Sequence, residues 1–285
     1  MDSAAAFKGT AVRRLLELAE ALLGNSDSAA LDAQLLLAHA LGRNRTWLYA
    51  RPEAMVDAAA LQRFDTLVTA RAAGTPVAYL LGTREFWSLP LQVSPAVLIP
   101  RPETELLVQT ALELGPQGPA QIADLGTGSG AIALALASER PHWHVYATEL
   151  SAAALAVAEG NRQTLELANV SLLQGTWCEP LPVIALDLIV SNPPYLAEDD
   201  EHLGRGDVRF EPRSALVAAD SGMQDFRNIA MQAPSRLRRG GWLLLEHGWQ
   251  QGAAVRSLLQ GTGFVQVATR RDAAGRERMT MGRKP

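Results

Sequence analysis

The chain has 285 residues, of which 48% are hydrophobic and 20% charged, the proportions of an ordinary globular protein. A net charge of −4 and a pI near 5.8 give no global drive toward nucleic acid or anionic lipid. The single cysteine, Cys178, excludes an intramolecular disulfide and suits a reducing compartment. No run of about 18 apolar residues occurs, so no membrane span is expected. The opening "MDSAAAFKGT" lacks the basic and apolar stretches of an export signal, and a cytoplasmic protein is the expectation.

The first eighty residues read as helices. In "AVRRLLELAEALLG" the residues Val12, Leu15, Leu16, Ala19, Leu22 and Leu23 fall at helical spacing, with Gly24 as the stop. "SAALDAQLLLAHALG" repeats the design and ends at Gly42, and "DAAALQRFDTLVTARAAG" ends at Gly74. Up to Leu80 there are eight Lys and Arg against eight Asp and Glu, so this region is neutral. A nucleic-acid-binding arm would be basic. Residues 1–80 are therefore read as a helical substrate-docking or bracing domain.

From Thr75 the texture changes. "PVAYLLGTREFWSLPLQV" reads as a short hairpin or linker, assigned to residues 81–95. "SPAVLIPRPETELLVQTALEL" follows, a loop with three prolines and a helix that starts near Pro102. After Gly118, strand-like and helix-like stretches alternate. The strands are read as "QIADLG", "WHVYATEL", "VSLLQG", "LDLIVSN", "GWLLLEHG", "FVQVAT" and "ERMTMG". Such alternation predicts an α/β fold with a doubly wound, mostly parallel sheet over residues 96–285.

Two loops in that region carry chemistry. The first is "ADLGTGSGAIALAL", which sets Gly126, Thr127, Gly128, Ser129 and Gly130 between a strand and a helix. Glycines there permit a tight turn and close approach of a ligand to the backbone. Glu149 closes the next strand, where a carboxylate can bind both hydroxyls of a ribose. Gly126-x-Gly128-x-x-Ala131 satisfies a dinucleotide pattern, whereas the alternating glycines suit S-adenosylmethionine. A ligand-free structural turn would not need three such glycines.

The second is "SNPPYL", after the buried run "LDLIV". Two prolines fix two φ angles and remove two N–H donors, and the first holds Asn192 extended. Such a corner suits a planar group bearing an NH₂. Asn192 accepts one hydrogen through its side-chain oxygen, a neighbouring carbonyl accepts another, and Tyr195 stacks on the plane. The bland alternative is a strand-ending turn with a core tyrosine.

Together, "DLGTGSGAIALALA", "SNPPY", "IPRPETE" and "LLLEHGWQQG" resemble the release factor glutamine methyltransferases over nearly the whole chain. The resemblance implies the class I S-adenosylmethionine-dependent methyltransferase fold, a Rossmann-like seven-stranded sheet with its last strand antiparallel, behind a small all-α domain. It implies S-adenosyl-L-methionine as donor, S-adenosyl-L-homocysteine as product and no metal. The substrate would be the glutamine side chain in the Gly-Gly-Gln loop of bacterial peptide chain release factors, with an effect on translation termination. By position, Gly126 to Gly130 would underlie the cofactor, Glu149 would hold its ribose and Trp177 would flank its adenine. Many family members have Asp where Glu149 stands. Asn192 would touch cofactor and substrate, and Asn192, Pro193, Pro194 and Tyr195 would hold the glutamine amide. Arg101 or Glu103 would touch the cofactor from a lid, or "RPETE" would simply start a helix. The long polar stretch after Tyr195 is read as a contact surface for the protein substrate.

A monomer without membrane or direct nucleic-acid contacts is expected. The nearest competing reading is an adenine-N6 amino-methyltransferase acting on nucleic acid, which the acidic chain disfavours. Other readings are a nicotinamide dehydrogenase and a docking adaptor without chemistry. His39, His142, His144, His202 and His247 show no metal-ligand spacing. Cys178 is read as packing. Arg236, Arg238 and Arg239 are read as a helix end, and Arg270, Arg271, Arg276 and Arg278 as a solvated face.

Overall fold

The computed structural model describes residues 10–24 and 26–285. The stretch read as lacking an export signal therefore lies, apart from Thr10, outside the described residues. Two compact units emerge, one running through Gly82 with Gly204–Phe210 added, the other formed by Thr83–Leu203 and Glu211–Pro285.

Among its described residues the first unit holds the α-helices α1 (Val12–Leu22), α2 (Ala29–Leu41), α3 (Arg45–Ala50), α4 (Ala58–Ala72) and α5 (Val77–Leu81). Three of these match the periodic stretches. The six-residue α3 is added, started by the Asn44 side chain, which accepts from the Trp47 N–H. The stretch read as hairpin or linker begins instead with α5, because Pro76 presets its entry and Gly82 (φ 70°) stops it. The apolar faces converge on Leu15, Leu36, Leu37, Phe64 and Val68, all nearly inaccessible to solvent. Arg71 ties Gly204–Phe210 to these helices. Its guanidinium donates to Asp32 at 2.8 Å and to Asp207 at 2.7 Å.

The second unit opens on the hairpin of β1 (Thr83–Phe86) and β2 (Leu89–Gln92). Then follow α6 (Glu105–Leu114), β3 (Ala120–Leu125), α7 (Ala131–Glu139), β4 (Trp143–Glu149), α8 (Ala152–Thr164), β5 (Val170–Gln174) and β6 (Leu186–Ser191). The chain closes with the kinked turn α9 (Ala219–Gly222), α10 (Gln224–Arg236), β7 (Leu237–Glu246), α11 (Gly252–Gly261), β8 (Val265–Arg271) and β9 (Glu277–Arg283). The seven-stranded sheet has the order β5-β4-β3-β6-β7-β9-β8. β9 runs antiparallel to both β7 and β8, and the other neighbouring pairs are parallel. Strands β3 and β6 are buried on both faces, with Ile122, Leu125, Leu188 and Ile189 fully inaccessible. That accounts for their continuous apolar runs.

Two sequence readings need correction. Strand β7 starts at Leu237, so Arg238 and Arg239 belong to a strand and only Arg236 ends a helix. The reason is the pairing of Leu237 with Leu186, which draws these residues into the sheet beside β6. Arg278 does not face solvent; it is buried and paired with Asp272 at 3.3 Å. Among the described residues no helix is long and apolar enough to cross a membrane.

The order of strands fixes the place of any site. Chain connections run outward from β3 through β4 to β5 and, on the other side, from β6 to β7. The carboxyl ends of β3 and β6 therefore meet at the switch point, with Leu125 in register with Ser191.

Candidate active site

A cleft of about 440 Å³ opens at that switch point, within the size range of small-molecule sites. Its floor is the loop after β3. Gly126, Gly128 and Gly130 all take positive φ (72°, 57° and 86°), which other residues rarely adopt. The loop folds over toward β4, with the Gly126 and Thr127 N–H groups donating to the Thr148 carbonyl. Beneath it lies Asp124, fully buried. One carboxylate oxygen accepts from the Thr127 hydroxyl at 2.6 Å and from the Ala133 N–H at 3.1 Å. Burial pushes this carboxyl up to about 7, against those two hydrogen bonds. Asp124 thus staples the loop to the first turn of α7.

Glu149 at the end of β4 lines the cleft. Its two oxygens accept from the Gly128 N–H at 3.0 Å and the Ser151 N–H at 2.9 Å. These bonds aim the carboxylate and leave lone pairs on both oxygens for a pair of hydroxyls. Trp177, held at φ 46°, forms the neighbouring wall and packs close to Gly126. A Cβ added at Gly128 would meet no protein atom within 4 Å, so that glycine borders open cleft rather than packed protein. These residues fit an adenosyl group carrying a ribose diol, as in S-adenosylmethionine.

The corner after β6 supplies the other side. The Ser191 hydroxyl donates to the Leu125 carbonyl at 2.7 Å and ties the two strand ends together. Asn192 and Pro194 lie on the cleft wall; Pro193 is buried behind it. Tyr195 is not on that wall. It packs with the cluster around Phe226 and Leu245, and burial raises its phenol pKa well above the ordinary value. Its backbone is pinned: its N–H donates to the Leu216 carbonyl and its carbonyl accepts from Gln251 at 3.0 Å. Gly222 (φ 80°) backs this corner, and a Cβ there would overlap the Tyr195 carbonyl oxygen. Gly130 likewise stands off the wall, as the residue that opens α7.

Further residues line or brace the cleft, among them Arg101, which the sequence offers as a lid residue. Arg101 lines the cleft and binds the buried Glu211 at 2.5 Å, so "RPETE" is bolted to the segment that leads to Ser214 and Ala215 on the opposite wall. Asp225 and Asn228 of α10 close one end, with the Asp225 carboxyl raised by burial. Asn161 of α8 bonds the Ser129 carbonyl and both backbone groups of Gln92, holding loop and hairpin together. Glu246, at the end of β7, is 1% exposed and neither oxygen has a partner in hydrogen-bond geometry. Burial pushes it up to about 7, opposed by the Thr104 hydroxyl and by Arg278. Glu246 was findable, because an acid closing the apolar run "WLLLE" marks a strand's carboxyl end. Arg101–Glu211 and Asn161 depend on partners distant in the chain. Cys178 is buried, and its thiol is pushed up to about 12.

Comparison with known proteins places the chain in a family. Residues 14–82 match the family model "PrmC N-terminal domain" and residues 102–206 match "Methyltransferase small domain". The chain is 52% identical over 258 residues to the release factor glutamine methyltransferase of Escherichia coli K12, covering 90% of this chain and 93% of that one. It is 53% identical over 265 residues to the protein of that name from Pseudomonas aeruginosa, covering 93% and 96%. Among solved structures, a methyltransferase from Pyrococcus furiosus superposes with a TM-score of 0.53 at 19% identity, covering 69% of this chain and 89% of its own. The 16S rRNA N2 G1207 methyltransferase of T. thermophilus, solved with AdoMet and guanosine, gives 0.53 at 22%, covering 71% and 50%. At such identities these structures bear on the fold alone, which is that of the class I methyltransferases.

Proposed function

Because the chain belongs to the release factor glutamine methyltransferases, we propose that its cleft transfers a methyl group from S-adenosylmethionine to a release factor glutamine. The acceptor is the side-chain amide nitrogen of the Gly-Gly-Gln loop. The chain is an S-adenosylmethionine-dependent methyltransferase with the fold described. One observation carries the substrate reading. The register of Leu125 with Ser191 sets the Asn192 corner beside the glycine loop on one cleft.

In this reading Glu149 takes the ribose hydroxyls, Trp177 flanks the adenine and Gly126 to Gly130 give the ligand room. When bound, S-adenosylmethionine supplies a methyl group activated by a sulfonium. Asn192 accepts one hydrogen of the substrate amide through Oδ1, and a neighbouring backbone carbonyl accepts the other. Pro193 and Pro194 keep those acceptors from relaxing, and Tyr195 braces the corner. The amide nitrogen is a poor nucleophile; its proton passes to solvent as or after the methyl arrives, and S-adenosylhomocysteine is the other product. The corner therefore works by orientation and exclusion of water. The helical unit is assigned to docking the release factor. Residues 1–80, 81–95 and 96–285 are proposed as docking domain, linker and catalytic domain, in a cytoplasmic monomer without a metal.

Relatives at about half identity over nine-tenths of the chain are named for a release factor glutamine, not for a nucleic-acid base. Adenine methylation is therefore not favoured. The test is peptide mass spectrometry after incubation with S-adenosylmethionine and an unmethylated release factor, with single-stranded and duplex DNA in parallel. One methyl on the Gly-Gly-Gln glutamine is expected; methyl on adenine and none on the factor would overturn the substrate assignment.

A further inference from the structure

An asparagine that accepts from a substrate amide has an orientation problem. Its side chain ends in an oxygen and an NH₂ of nearly equal size, and the wrong turn presents donors to donors. Something must hold the NH₂ end away from the substrate. The Asn192 Nδ2 donates to the Thr104 Oγ1 at 3.4 Å. Thr104 sits in the short turn before α6 and is only 4% exposed.

A threonine hydroxyl has a single hydrogen. If that hydrogen points to Asn192, the asparagine must offer its oxygen to Thr104 and loses it for the substrate. If another acceptor takes the hydrogen, Thr104 can only accept from Asn192. That acceptor is present. Leu245 is in register with Ser191, so Glu246, the last residue of β7, stands one residue past that pair just as Asn192 does beside it after β6. Its carboxylate is buried, with neither oxygen satisfied, and faces the Thr104 hydroxyl. A buried carboxylate is costly without a function or a strong partner.

We propose that Thr104 and Glu246 are positioning residues that lock the Asn192 side chain with Oδ1 toward the substrate amide. Glu246 draws the Thr104 hydrogen, Thr104 accepts from the Asn192 NH₂, and the oxygen is left facing the cleft. This rests on the reading of Asn192 given above, and the test separates the two.

The experiment measures kcat for release factor methylation at saturating S-adenosylmethionine, well above neutral pH where Glu246 is ionised. S-adenosylhomocysteine Kd is measured alongside. Thr104→Val keeps the shape and removes the hydroxyl; it is expected to lower kcat roughly tenfold, with Kd within about threefold. Thr104→Ser should restore most of the rate. Glu246→Leu should fall by a factor similar to that of Thr104→Val. In an Asn192→Ala background Thr104→Val should cost nothing further, because no amide remains to orient. An unchanged kcat in Thr104→Val overturns the proposal. So does a loss that multiplies with that of Asn192→Ala, which would mark a general packing role. An Asn192→Ala enzyme with full activity would overturn the reading of the corner and this inference with it.

Discussion

The carboxyl ends of β3 and β6 lie side by side, and each has a buried carboxylate next to it. At β3 one carboxylate oxygen is held by the scaffold: Asp124 Oδ2 accepts from Thr127 and from Ala133 and so closes the glycine loop, while Oδ1 has no partner. At β6 the neighbouring Glu246 has no such bonds and faces Thr104, which in turn holds Asn192. One acid sets the shape of a cofactor loop; the other stays available to set the direction of a side chain. The difference teaches that a strand end can be built to hold a ligand or to aim one group, and that burial of an acid alone does not tell which.

The comparison can be broken first through the backbone. Gly222→Ala forces a β-carbon into the Tyr195 carbonyl at a positive φ. It should cost about 2–4 kcal/mol of stability and abolish methylation, seen by thermal unfolding and by activity. Next, Glu149→Gln tests the cofactor side alone. Losing the charged acceptor should weaken S-adenosylhomocysteine by roughly 10- to 100-fold in calorimetry while the fold keeps its melting temperature.

The acids themselves can be compared by pH. Both folded-state values, about 7, lie above the ordinary 3.8 of an aspartate and 4.5 of a glutamate. A raised carboxyl keeps its proton longer in the folded state. Its stability contribution is complete below the unfolded value and is lost as pH rises toward about 7. Asp124→Asn should remove a decline on the order of 4 kcal/mol between those limits. Glu246→Gln should remove a smaller one. Melting temperatures of each variant against the parent across that window check the sign; a parent that gains stability there relative to the variants would refute it. The smallest effect is expected from Arg101→Lys, which keeps the charge but loses the geometry of the Glu211 bond. A few-fold rise in the KM for S-adenosylmethionine is expected.

Much of this was legible in the sequence. Alternating apolar strands and helices predict the sheet, and the three glycines and "SNPPY" mark the two strand ends at the switch point. What could not be read depends on pairing across the sheet. Nothing near "WLLLEHG" tells that β7 lies next to β6, so Glu246 acquires meaning only from the register of Leu245 with Ser191. Arg101 and Glu211, 110 residues apart, meet only because the segment after "SNPPY" folds back. The helix α5 was hidden because Pro76 and Gly82, which bracket it, are also turn residues. Tyr195 was expected to stack on the substrate, whereas its ring is packed with the core cluster.

The central claim is that the β3 end holds the cofactor and the β6 end orients the amide. The most direct test is single-turnover methylation of a release factor by Asn192→Ala, alongside its affinity for S-adenosylhomocysteine. The expected rate is lower by about 100-fold or more, with affinity within about fivefold of the parent. A parental rate, or a loss of rate matched by an equal loss of cofactor affinity, would contradict it.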